Sequence, residues 1–229
     1  MSLPFQIACR PPHLVASFDA PQRMLSWSLT RPGFQVARRV AWLEVRNADL
    51  PASEDPIDSL NRLMADADLV DAISLITSRD ITRHHLAQSE VEGVTATALA
   101  TVGLSNGERV GQRLSEPVWL PGTINILLHV SCPLSEAAFI ETLSIVTQAR
   151  TAAVLDAQVS RAEVVVTGTG TDCIVVAAPQ GADGARFAGL HTAVGEAAGD
   201  AVYRTVREGV AVWQRDFALL TRQQASAAE

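Results

Sequence analysis

Hydrophobic and polar residues form blocks along the chain, and these blocks predict both strands and helices. Aliphatic runs bounded by turn residues are typical of strands, whereas apolar residues three and four apart predict a helix. We predict helices over 57–67, over 135–155 with Ser135 as the N-cap, and from an N-cap at Thr192 to about residue 220. The predicted strands are 14–18, 24–29, 40–45, 69–76, 94–102, 122–130, 164–166 and 173–178.

The spacing of these blocks indicates how they connect. Asp19, Pro21 and Gln22 separate the first two predicted strands, which therefore form a predicted hairpin. The polar stretch 51–56, in which Ser53 or Asp55 caps the first helix, and the segment 117–121 around Trp119 are predicted connectors. We expect a single-domain, layered α+β fold whose mixed, largely antiparallel sheet is covered by the two long helices.

The last two predicted strands flank a loop of glycines, threonines and one aspartate at 167–172. Gly168 and Gly170 can adopt positive φ or admit a close neighbour. The hydroxyls and the carboxylate then face whatever lies above the strand ends. A tight hairpin and a substrate-facing loop both fit these residues.

The charge of the chain excludes several functions. The net charge is -7, and all 18 basic residues are Arg. An acidic chain without a basic block argues against nucleic acid as a partner. Without Lys there is neither a Schiff-base nucleophile nor a P-loop lysine.

Cysteine and histidine spacing predicts neither a disulfide framework nor a metal site. Cys9, Cys132 and Cys173 are odd in number and far apart, which suits a reducing cytoplasm. The adjacent His84 and His85 have no third ligand close by, and we interpret them as surface residues. The first nine residues lack a signal-peptide pattern, and no apolar run reaches ~18 residues, so we expect no membrane partner. Homo-oligomerisation is left open.

Four segments share a pattern in which an apolar strand lies next to a cluster of Ser, Thr, Asn or Asp. If their ends converge, they form a cleft of mostly neutral donors and acceptors, which suits an uncharged, amide-rich ligand. The four segments are Gly103–Asn106, Gly122–Asn125, Thr167–Asp172 and His191–Glu196.

These segments, with the helix between them, resemble the adenosylcobinamide amidohydrolase (CbiZ) family over residues 94–206. Gln148 and Arg150 occupy positions where family members usually have Glu and Lys. The resemblance rests on Gly103-Leu104-Ser105-Asn106, Gly122-Thr123-Ile124-Asn125-Ile126, Thr147 with Ala149 and Ala152-Ala153, Thr167 to Asp172, and His191-Thr192 with Gly195-Glu196.

The resemblance implies hydrolysis of the amide that joins a corrinoid side chain to its aminopropanol arm. The products would be adenosylcobyric acid and aminopropanol, in corrinoid salvage, with a corrinoid as the small-molecule partner and no cofactor. A binding protein that holds a corrinoid without cutting it is the alternative, as is an amidohydrolase for another small amide.

Amide hydrolysis requires a nucleophile, an oxyanion site and an acid for the leaving amine. We assign His191 as base or acid because imidazole titrates near the working pH. Asp172 and Glu196 are the candidate carboxylates, which orient His191 or activate water. Ser105 is a candidate nucleophile, although no helix follows it as in a nucleophile elbow.

Each assignment has a structural alternative: a loop contact for His191, an Asx-turn for Asp172, helix-terminus charge for Glu196 and turn formation for Ser105. The backbone amides of 168–171 are the candidate oxyanion site. The predicted substrate-binding residues are Asn106, Thr123, Asn125, Thr167, Gly168, Thr169, Gly170 and Thr171.

Overall fold

The computed structural model describes residues 2–46, 49, 54–112 and 122–227. The predicted cap Ser53 and the predicted loop at 117–121 with Trp119 lie outside these ranges. The helices are α1 (Pro56–Asp66), α2 (Glu136–Asp156) and α3 (Ala193–Ala227). The strands are β1 (Gln6–Arg10), β2 (His13–Ser26), β3 (Gly33–Glu44), β4 (Ile73–Thr77), β5 (His84–Val91), β6 (Val94–Val102), β7 (Gly107–Glu108), β8 (Ile124–Val130), β9 (Ser160–Arg161), β10 (Val164–Val165), β11 (Gly168–Thr169) and β12 (Cys173–Pro179).

One large sheet has the strand order β4-β3-β2-β12-β8-β6-β5, and β1 pairs with the first half of β2. Its described pairs are antiparallel except for β3 with β4 and β8 with β12, which are parallel. The predicted mixed, largely antiparallel sheet with covering helices is therefore confirmed.

The predicted hairpin between 14–18 and 24–29 is wrong, because both segments belong to the single strand β2. The register against β3 shifts between Ser17 and Gln22, which marks a bulge. Pro21 lies in that bulge, where its missing N–H removes no ladder hydrogen bond. The turn residues therefore bend one long strand and do not reverse the chain.

The helix starts agree closely with the sequence, because each helix begins at a capping side chain, whereas α3 continues to Ala227, beyond its predicted end near residue 220. The Asp55 carboxylate accepts from Ile57 N at 2.7 Å, and Ser135 Oγ accepts from Ala138 N at 3.1 Å. Thr192 Oγ1 accepts from Gly195 N at 3.0 Å. Each bond satisfies an N–H that has no partner inside its helix.

The two faces of the sheet have different cover. On one face, Ile126 and Val176 pack with α2 and α3 in a large apolar cluster. On the other face, Leu99 and Leu127 pack against Trp42 of β3. The sheet therefore curls over its own second face, and we call that face the inner face. A side-chain bond crosses the curl, since Asn125 Nδ2 of β8 donates to Ile76 O of β4 at 2.7 Å.

Strand β5 was missed by the sequence analysis. It forms a hairpin with β6 through Glu92 and Gly93, which have φ values of 49° and 79°. Positive φ at both central residues is the geometry that a two-residue hairpin requires. His84 and His85 begin this strand and are not simple surface residues, because His85 is buried and His84 is half-buried.

Candidate functional site

Three of the four polar segments meet at one end of the sheet. Strand β6 ends where β8 and β12 begin, since β6 is antiparallel to β8 and β8 is parallel to β12. Gly103 N donates to Thr123 O at 2.9 Å, and Thr123 Oγ1 donates to Thr171 O at 2.8 Å. We call this region, made of residues 103–107, 122–125 and 167–172, the Asp172 end of the sheet.

The Asp172 carboxylate joins two of these segments, 122–125 and 167–172, to α2. Oδ1 accepts from Ile124 N at 2.9 Å and from Thr169 Oγ1, while Oδ2 accepts from Thr169 N at 3.0 Å and from Arg150 Nη1 of α2. The two charged side chains are only 8% and 14% exposed, and burial lowers the pKa of Arg150. Because four donors occupy its oxygens, Asp172 is better suited to fixing the loops than to activating water.

Of the two alternatives given for the loop glycines, positive φ is found at neither. Gly168 is instead required by close approach, because a Cβ there would overlap the Arg150 guanidinium and the Asp172 carboxylate. Around Gly170 a Cβ would meet open space. The two glycines therefore differ in what they permit, although the sequence presents them as equivalent.

The threonine hydroxyls of the Asp172 end mainly bond other parts of the chain. Thr167 Oγ1 accepts from Val110 N at 2.8 Å, and Thr171 Oγ1 donates to Gly122 O at 3.2 Å. These bonds, with those of Thr123 and Thr169, tie the loops to one another. Their predicted role in substrate binding stays a prediction.

Several buried polar atoms at this end have no hydrogen-bond partner among the described residues: Thr101 Oγ1, Asn106 Oδ1, Asn125 Oδ1 and Arg150 Nε. Buried polar groups are normally bonded, so unpartnered ones mark places where a further group binds. Three of the four atoms are oxygens. A ligand rich in N–H groups therefore complements this end.

Two of these oxygens belong to a polar row on the inner face. In register, His84 pairs with Thr101, Thr101 with Asn125, and Asn125 with Cys173. Each residue is two positions from an apolar side chain of the inner face, so alternation directs all four to that face. We call His84, Thr101, Asn125 and Cys173 the inner row.

The ends of the inner row differ chemically. His84 Nδ1 lies 2.8 Å from Ile81 O, which makes Nδ1 the protonated nitrogen and leaves Nε2 as an acceptor. Burial raises the pKa of Cys173 to about 11, so its thiol stays neutral and is a poor nucleophile. Of the two ends, the His84 end therefore carries the side chain whose chemistry suits proton transfer.

Ser105 lies half-buried in the turn between β6 and β7. The short strand β7 follows it and pairs with β11. This agrees with the expectation that Gly103 to Gly107 is not a nucleophile elbow. Ser105 is next to Asn106, and Gly122 lies against the backbone of both residues.

The prediction that His191 and Glu196 join the same cleft is wrong. Strand β12 carries the chain away from Asp172, and the following loop returns to α2, where Ala188 N donates to Glu141 Oε2 at 2.7 Å. Glu141 precedes Arg150 by about 13 Å along the helix axis. His191 and Glu196 are exposed at this opposite end, made of residues 131–135 and 180–196, which we call the His191 end. His191 therefore cannot be oriented by Asp172.

The partner of His85 lies on α3. Burial lowers the pKa of His85, although the Glu208 carboxylate lies 3.6 Å from its Nδ1 and opposes that shift. His85 faces the helices, whereas its neighbour His84 faces the curl.

The sequence signal that would have revealed strand β5 is the Glu92-Gly93 turn, placed between two runs of alternating residues.

Within the described ranges, no three His, Cys, Asp or Glu side chains cluster as metal ligands would. The described part of the chain also contains no helix with the length and apolarity to cross a bilayer.

A curled, mostly antiparallel sheet with two helices on one face and interlocked polar loops at one end defines a mixed α/β protein. A family model described as adenosylcobinamide amidohydrolase (CbiZ) matches residues 3–217. The chain belongs to this family. The match reaches well beyond residues 94–206, on which the sequence resemblance rested.

Two further similarities are weaker. The uncharacterized protein MJ1613 of Methanocaldococcus jannaschii is 36% identical over 92 residues, which span 39% of this chain and 36% of that protein. The crystal structure of the PH0078 protein from Pyrococcus horikoshii superposes with a TM-score of 0.44 at 12% identity, covering 91% of this chain and 79% of that one.

Proposed function

We propose that the protein hydrolyses the amide between a corrinoid side chain and its aminopropanol arm, releasing adenosylcobyric acid and aminopropanol. The observation that carries this proposal is the family match over residues 3–217. The reaction would serve corrinoid salvage in the cytoplasm.

The Asp172 end is the proposed substrate site. A corrin ring bears many peripheral amides, and their N–H groups complement the unpartnered oxygens of Asn106 and Asn125. The Asn125 amide is fixed in place, because its Nδ2 donates to Ile76 O at 2.7 Å. Asp172 and Arg150 keep the loops in register around the substrate.

Proton transfer falls to His84 in this proposal and no longer to His191. His84 has an acceptor nitrogen and belongs to the same row as Asn125. It accepts the proton of the attacking hydroxyl, from Ser105 or from water, and returns that proton to the leaving amine. If Ser105 attacks, water then hydrolyses the resulting ester and frees the acid.

Oxyanion stabilisation is assigned to the backbone N–H of Gly170, because Thr171 N donates to Thr169 Oγ1 at 3.4 Å. The nearby Thr169 N is already engaged by Asp172 Oδ2 at 3.0 Å, so it is not available to an oxyanion. The Arg150 guanidinium is neutralised by its pairing with Asp172, so it positions this loop and adds no net positive charge.

Incubation with adenosylcobinamide, followed by chromatography, tests the proposal. The expected products are adenosylcobyric acid and aminopropanol in equal amounts. The Ser105→Ala variant separates the two routes, because turnover is lost if Ser105 attacks and retained if water does. Tight binding by the wild-type protein without product would identify a corrinoid-binding protein and would contradict the proposed reaction.

A further inference from the structure

Trp27 is an exposed tryptophan beside the Asp172 end. It directly follows β2, whose last residue Ser26 pairs with Val175 of β12. The indole Nε1 donates to Asp172 O at 2.9 Å. The ring is therefore attached to the same residue whose carboxylate ties the polar loops together.

Among the tryptophans in the described ranges, Trp27 differs from the others in its exposure. Trp27 is 45% exposed, whereas Trp42 and Trp213 are 0% and 9% exposed. Tryptophan is a large apolar residue that contributes most when it is covered. The hydrogen bond from its N–H fixes the orientation of the ring without covering it.

A second apolar side chain extends this surface. Leu29 is 55% exposed, two residues beyond Trp27. The exposed Trp27 ring, which we call the platform, thus lies beside the loop of Asp172, and Leu29 adds a second exposed apolar side chain two residues along the chain. An exposed indole held in a fixed orientation complements the flat face of a large ring.

We propose that Trp27 packs against the face of the corrin macrocycle and determines the affinity for the ring, separately from recognition of the aminopropanol arm. This inference rests on the proposed function for the identity of the ligand. It adds a residue and a contact that the hydrolytic chemistry does not require. Leu29 widens the same contact.

Calorimetric binding of adenosylcobyric acid tests the proposal, because this product contains the macrocycle but no scissile amide. Trp27→Ala removes the platform, and we expect its Kd to rise about tenfold. Trp27→Phe retains an aromatic face but loses the bond to Asp172, so we expect a rise of about threefold. Phe187→Ala is the matched control, because Phe187 is 64% exposed at the His191 end, and its Kd should stay within about twofold of wild type.

Two results would overturn the inference directly: no measurable binding by the wild-type protein, or a Trp27→Ala Kd within about twofold of wild type. A third would be that Trp27→Ala weakens the binding of adenosylcobyric acid but not that of dicyanocobyric acid. The last result would place the adenine, not the macrocycle, on Trp27. Trp27→Leu keeps an apolar side chain and provides the comparison if the alanine variant fails to fold. The proposed reaction is tested separately. If binding depends on Trp27 but adenosylcobinamide is not cleaved, this inference is supported and the proposed reaction is not.

Discussion

The two ends of the sheet are formed by segments of similar composition, rich in small and polar residues, but their structures differ. At the Asp172 end, one carboxylate accepts from Ile124 N, from Thr169 N and Oγ1 and from Arg150 of α2, and several buried oxygens have no partner among the described residues. At the His191 end, the loop folds back onto α2, and Phe187 and Leu190 are exposed. A run of small and polar residues with a histidine is thus not evidence of a site until the chain direction is known.

Removing the Asp172 carboxylate should have the largest effect on stability. Asp172→Ala leaves the buried Arg150 charge without its partner, and we expect the free energy of unfolding to fall by about 3–5 kcal/mol in urea titrations. Glu196→Ala at the His191 end is the matched carboxylate removal, with an expected change within about 0.5 kcal/mol. Adding Arg150→Met to Asp172→Ala should recover part of the loss. Equal effects at the two ends would remove the contrast between them.

His129, towards the His191 end of β8, makes the stability of the protein depend on pH. Burial against Phe18 lowers the pKa of His129 from 6.5 to about 4, so below pH 6.5 the unfolded chain binds the extra proton. Stability should therefore fall as the pH drops from 6.5 towards 4, by about 3 kcal/mol from this residue. Denaturant titrations at pH 7 and pH 4 should show a smaller acid loss in His129→Gln than in the wild type. An unchanged loss would mean that His129 titrates normally.

Alanine substitutions at the two loop glycines should change the stability by different amounts, and both effects should be smaller than those above. Gly168→Ala forces a Cβ against Arg150 and Asp172, with an expected cost of about 1–3 kcal/mol. Gly170→Ala enters open space and should change stability by less than about 0.5 kcal/mol. Thermal unfolding of both variants measures the difference. A larger cost at Gly170 would be inconsistent with the observed loop.

Local signals in the sequence predicted much of the fold. Caps and apolar spacing located α1 and α2 within a residue or two, and alternation gave β6 its observed bounds Val94–Val102. Long-range pairing was not predictable in the same way. Nothing between residues 14 and 29 distinguishes a hairpin from a bulged strand, because both place Pro21 where no N–H is needed.

The same distinction applies to the candidate site, of which only the part set by short turns could be predicted from the sequence. Asn106, Thr123 and Asn125 are found with Asp172 because short turns keep them at their strand ends. His191 was wrongly expected beside Asp172, because β12 carries the chain to the opposite end of the sheet before the histidine. Thr101 and His84 join Asn125 only through strand pairing, which the sequence does not specify.

The central claim is that hydrolysis takes place at the Asp172 end of the sheet. The most direct test is to measure the turnover of adenosylcobinamide by the His84→Ala and His191→Ala variants. Both variants should remain folded by circular dichroism and should bind adenosylcobyric acid. We predict that kcat falls at least about 100-fold in His84→Ala and stays within about twofold in His191→Ala. A large loss in His191→Ala with full activity in His84→Ala would contradict the account and move the reaction to the other end of the sheet.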